Sequence, residues 1–198
     1  MHIINAKLIK YVKYLGVVAA IVTAVGITWA AFSDRGKVLG STFSVGNSDI
    51  KLLENIGGTT SQDNLKDELS GPNFINLTPN WTQDYPLKIY NNGSTALQIT
   101  SNSEYETAND PDDLRSYIYV EPMDWDDYNG NGQLDSGEEG LSYGKKSITK
   151  WKTEGFDFGT INMGTTRGFI LRFSTTSLSD TKQGKTGSYD FEINAIQI

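Results

Sequence analysis

The stretch Leu87-Lys88-Ile89-Tyr90-Asn91-Asn92-Gly93-Ser94-Thr95-Ala96-Leu97-Gln98-Ile99 places two alternating apolar runs on either side of Asn-Asn-Gly-Ser. Asn and Gly tolerate the positive φ that tight reversals need, so the spacing predicts a β-hairpin. The same pattern extends outward. Ser41-Thr42-Phe43-Ser44-Val45 alternates and stops at Gly46-Asn47, and Ile50-Lys51-Leu52-Leu53 resumes. Ser116-Tyr117-Ile118-Tyr119-Val120 reads as another strand, as do Phe169, Leu171 and Phe173, and Tyr189, Phe191, Ile193 and Ala195. Residues 57–71 are polar, with Leu65 and Leu69 at helical spacing, and predict a loop with one short helix. Strands punctuated by turns through about 150 residues predict an all-β antiparallel fold, a sandwich or a jelly roll.

The N-terminus follows a different rule. Lys7, Lys10 and Lys13 precede a run of 20 uncharged residues, Tyr14–Ser33, and the first carboxylate is Asp34. A basic region, an apolar helix and small residues make a secretory signal. Ala30 and Ala31 offer the small side chains that signal peptidase requires, so residues 1–30 are expected to be removed. The apolar run is also long enough to span a bilayer, and a retained anchor is the alternative. Either way the body, residues 47–198, is expected outside the membrane, secreted or at the cell surface.

Removing the leader takes three of the 17 basic residues and none of the 24 acidic ones, leaving a formal charge of −10. Nucleic acid is an unsuitable partner for such a surface. There is no cysteine, and the single histidine is His2. The exported part therefore lacks the usual zinc ligands and any Ser-His or Cys-His pair. A carboxylate-based hydrolase remains open, but the expectation is that the chain is not an enzyme.

Asp127-Tyr128-Asn129-Gly130-Asn131-Gly132-Gln133-Leu134-Asp135-Ser136-Gly137-Glu138 matches the twelve-residue loop of an EF-hand at each diagnostic position. Asp127, Asn129 and Asn131 stand at one, three and five, and Gly132 at the sharp turn. Gln133 presents a carbonyl at seven, Asp135 stands at nine and Glu138 at twelve. Hard oxygen donors at this spacing suit Ca²⁺ better than Mg²⁺. Leu134 is expected to anchor the loop to the core. The flanks do not read as a helix pair, so an isolated calcium loop, inserted between strands around 121–142, is expected. The alternative is a solvated acidic turn.

Three blocks together resemble the TasA/camelysin family of secreted biofilm-matrix fibre proteins. They are Thr28-Trp29-Ala30-Ala31-Phe32-Ser33-Asp34 followed by Ser41–Gly46 and Asp49–Leu52; Leu77-Thr78-Pro79 with Tyr90–Ser94; and Tyr189–Gln197. The resemblance covers roughly a third of the exported chain. It implies a jelly-roll-like fibre subunit, related to archaeal bundling pilins, that assembles head to tail with copies of itself by donor-strand exchange. Some members carry a metallopeptidase label, which this chain's lack of His-Glu-x-x-His does not support. The segment 31–46 suits donation. Phe32, Val38, Leu39, Phe43 and Val45 are spaced by Gly36 and Gly40, too sparse a set to fold alone, yet able to add to an open sheet edge. The alternative is that the segment is the first strand of its own sheet.

Weaker signals remain. Asn76-Leu77-Thr78, Asn80-Trp81-Thr82 and Asn92-Gly93-Ser94 are glycosylation sequons. Asp110-Pro111-Asp112-Asp113 reads as a solvated turn, with a second cation site as the other reading. Trp81, Trp125 and Trp151 admit a monomeric surface-binding module for carbohydrate as the alternative to a fibre.

Overall fold

The computed structural model describes residues 33–35, 48–72, 77–176, 178–182 and 185–198. The chain divides between Ser33 and Asp34 into two units. The first, Ser33 apart, lies outside the described residues. So do the signal segment 1–30 with its Ala30–Ala31 junction, the donor residues Phe32, Val38, Leu39, Phe43 and Val45, and the expected strand at 41–45. Among the described residues no helix is long and apolar enough to cross a membrane.

The described residues form antiparallel β-sheets. In chain order the strands are β1 Ser33–Arg35, β2 Ile50–Leu53, β3 Leu65–Lys66, β4 Thr82–Asn91, β5 Leu97–Glu104, β6 Ile118–Trp125, β7 Glu139–Ser142, β8 Lys146–Ser147, β9 Phe156–Ile161, β10 Thr166–Thr175 and β11 Asp190–Gln197. One sheet has the order β1-β11-β5-β9. The other runs β3-β2-β4-β10-β6-β7, with β8 also on β6. Phe158 of the first sheet packs on Phe169 of the second with ring centroids 4.7 Å apart, and Phe191 on Phe173 at 5.4 Å. The two sheets therefore face each other across one core. Alternation supplies it: Leu87 and Ile89, Leu97 and Ile99, Phe169, Leu171 and Phe173, and Phe191, Ile193 and Ala195 all point inward and are buried.

The hairpin expected from residues 87–99 does not form. β4 is flanked by β2 and β10, and β5 by β11 and β9, so neither has an edge left for the other. The turn is a corner between the two sheets. Asn91, wholly buried, holds it: Nδ2 donates to the carbonyls of Thr95 and Ile161, at 2.8 and 3.2 Å, and Oδ1 accepts from Gly93 N–H at 2.9 Å. A Cβ on Gly93 would lie 2.9 Å from the Ser48 carbonyl oxygen, so the glycine serves a close approach between chain segments.

Two local expectations are also corrected. Within 57–71 the helical piece is a three-residue 3₁₀ turn, Gln62–Asn64, and Leu65 belongs to β3. A helix that the sequence did not suggest spans Ile148–Glu154. Ser147 Oγ caps it by accepting from Lys150 N–H at 3.3 Å, and Gly155, at φ 65°, ends it. The helix delivers Trp151 into the core, where it stacks on Phe191 at 4.6 Å and donates to the Ser101 carbonyl at 3.1 Å.

The larger sheet is covered on part of its other face too. Met123 and Trp125 of β6 and Ile170 of β10 form a second small cluster, closed by Ile56 and Leu134. Those last two residues come from loops, and the Leu134 loop is the one singled out by its ligand spacing.

Candidate metal centre

The loop joins two adjacent antiparallel strands. β6 and β7 pair through Met123–Ser142 and Trp125–Glu139, and Asp126 N–H donates to the Glu138 carbonyl at 3.0 Å to close the neck. The insertion is thus narrower than expected: 121–125 and 139–142 are paired strands, and only 126–138 is loop. No helix flanks it.

Inside the loop the residues at positions one, three, five, nine and twelve turn toward one another. Asp127 Oδ1 accepts from Asn131 N–H at 3.1 Å and Oδ2 from Gly132 N–H at 2.9 Å. Asn129 Oδ1 accepts from Asn131 N–H at 3.0 Å, and Asn131 Oδ1 from Gln133 N–H at 2.7 Å. The amides of Asn129 and Asn131 both donate to Asp135 Oδ2 at 2.8 Å. Glu138, 4% exposed, reaches back so that Oε2 accepts from Asp135 N–H and from Trp125 Nε1–H, each at 3.0 Å. The chain reverses through Gly130 and Gly132 at φ 68° and 70°, a region that glycine enters without a Cβ penalty.

Three contacts tie the loop to the rest of the domain. Gly132 lies against the loop after β2, where a Cβ would fall 2.6 Å from Gly57 Cα, and Leu134 packs into the outer Met123–Trp125–Ile170 cluster rather than into the core between the sheets. The third tie is electrostatic. Lys88 Nζ of β4 lies 2.7 Å from Asp127 Oδ2, with the carboxylate side chain only 2% exposed, and 4.9 Å over the Trp125 ring. Burial would raise the Asp127 pKa, but the Lys88 ammonium and the N–H groups of Gly132 and Asn131 outweigh it and hold the carboxyl below its ordinary range. Sequence reasoning missed Lys88 because it stands 39 residues from Asp127 and only sheet packing brings them together.

The donor set is all oxygen, which fits a hard cation. Among the described residues no three His, Cys, Asp or Glu side chains close on one point as a cage. The loop's set instead draws on two asparagines and a backbone carbonyl. A groove of about 450 Å³ opens beside it, lined in part by Asp124, Asp126, Tyr128 and Arg167. Its guanidinium is already engaged: Arg167 pairs with Asp124 at 2.8 Å and donates to the Phe158 carbonyl and the Tyr143 hydroxyl.

The other sequence signals fare differently. Trp125 and Trp151 are 3% and 1% exposed and present no face to a sugar, which removes two of the three rings behind the carbohydrate reading. Asp110 is not in a solvated turn. It is buried and accepts from the N–H groups of Leu114 and Arg115, at 2.8 and 3.1 Å, while pairing with the Arg115 guanidinium at 2.9 Å. It organises the 3₁₀ turn Leu114–Ser116. Of the sequons, Asn76 lies outside the described residues, Asn80 is exposed at φ 65°, and the Asn92 amide donates to Asp49. No protein-family model matches the chain, and no curated protein matches it.

Proposed function

We propose that the chain is the structural subunit of an extracellular fibre, built by donor-strand exchange on a jelly-roll-like sandwich and stiffened by calcium. The observation that carries this reading is the β11 edge. Among the described residues β11 is eight residues long, and the strand beyond it is the three-residue β1. β1 is itself drawn from segment 31–46, the one whose composition suits donation. Exchanging this segment between copies replaces one pairing by an identical one, and a head-to-tail swap does not close, so it propagates. Ile196 and Ile198, 48% and 70% exposed, add apolar surface on and just beyond β11. The signal-like leader, the absence of cysteine and the TasA/camelysin resemblance support the same reading.

In this reading the side chains of Asp127, Asn129, Asn131, Asp135 and Glu138 and the Gln133 carbonyl would hold a calcium ion. Bound there, it supplies the positive charge that lets clustered carboxylates stay close together. The loop would then clamp the outer face of the larger sheet through Leu134 and Gly132. Electron microscopy of the purified protein tests the fibre: filaments are expected, and none after deletion of residues 31–45. A protein that stays singly dispersed at high concentration in calcium would refute it.

A further inference from the structure

Among the described residues Lys88 is the basic side chain that forms an ion pair with the twelve-residue loop. It stands on β4, between β2 and β10, on the opposite face from the core residues Leu87 and Ile89. Its own side chain is 15% exposed. The carboxylate that it grips is position one of the motif, the residue from which an oxygen-cage cation site is built. Charges other than Lys88 near Asp127 are of one sign or already paired. Asp126, Asp135 and Glu138 are acidic, and Arg167, which lines the same groove as Asp127, is committed to Asp124.

We infer that Lys88 is the resident counter-cation of this loop and sets how much calcium it needs. The inference rests on the calcium reading above. When calcium is scarce, the ammonium neutralises a carboxylate that is otherwise buried without an opposite charge, a state that proteins avoid. The loop then keeps its shape and its Leu134 contact. When calcium is present, ammonium and ion share one carboxylate and repel each other at short range in a partly desolvated site. That costs roughly tenfold or more in affinity. The Trp125 ring under Nζ keeps the ammonium in place, so the competitor does not simply swing away. The chain thus trades calcium affinity for a loop that survives without the ion.

The test is a calcium titration of the full chain, followed by calorimetry and by thermal unfolding, for the parent protein, Lys88→Met and Lys88→Gln. The glutamine keeps a donor for Asp127 and guards against a folding failure of the methionine variant. Two results are expected. The calcium midpoint falls roughly tenfold or more in both variants, and in chelator both melt below the parent. A response to calcium in the variants alone supports the inference equally. A parent that binds calcium with variants at the same midpoint overturns the inference and leaves the calcium reading standing. No binding by any of the three overturns both.

Discussion

Gly130 and Gly132 provide an internally controlled measurement. They share nearly the same backbone, φ 68° and 70°, and differ in surroundings. A Cβ on Gly130 meets nothing within 4 Å, whereas one on Gly132 would lie 2.6 Å from Gly57 Cα. Gly130→Ala therefore carries only the cost of a left-handed L-residue, about 1–2 kcal/mol. Gly132→Ala carries that cost plus a backbone collision that no rotamer relieves. Forcing a methyl into a packed contact costs about 1–3 kcal/mol more. The reverse contact is as tight, since a Cβ on Gly57 would lie 2.8 Å from the Asn131 carbonyl oxygen. The loops must separate, pulling Leu134 and Ile56 from Ile170. For a domain of this size the excess is a further fall of roughly 2–12 °C in Tm. Calorimetry of the full chain with each variant gives the difference directly. Equal shifts for the two would show that the loops do not touch and that the outer cluster is not closed by them.

Trp151→Ala should cost about 3–5 kcal/mol in denaturant unfolding, because it empties the space beside Phe191 and leaves the Ser101 carbonyl without its donor. A loss under 1 kcal/mol would contradict the buried position of that ring. Alkaline stability offers a third check. Burial and the hydrogen bond to Asp124 raise the Tyr143 pKa to about 12. The unfolded chain releases that proton near pH 10. The contribution is therefore complete below about pH 10 and is lost as pH rises through about 12. Tyr143→Phe should make this decline shallower, and an unchanged slope in pH-dependent melts would argue against the contact with Asp124.

The strands were legible because their signal is local: inward and outward residues alternate within one run, as in Phe169-Ile170-Leu171-Arg172-Phe173. Which strand pairs with which was not. Leu87–Tyr90 and Leu97–Ile99 are equally good neighbours on paper, and only the partners on their far sides decide that they separate. The helix at 148–154 is too short to show a period, although Ser147 and Gly155 mark its ends. β9 was missed because Gly159, at φ 73°, sits where the pairing with β5 shifts register and breaks the alternation. The twelve-residue loop stood out in the sequence because its six candidate ligand positions lie within one short run. Lys88 was not, because its relation to Asp127 exists only in three dimensions.

The topology has a consequence for how the chain must be handled while it is being made. β10 finds its partner β4 and β11 its partner β5 across long stretches of sequence, and β11 comes from residues 190–197. Until those residues have been synthesised the smaller layer cannot be assembled, and its exposed apolar face has nothing to rest on. Such non-local pairing is slow, with no cysteine to lock a partial success. A nascent chain of this design stays unfolded for as long as it is incomplete, the condition that the proposed export would require.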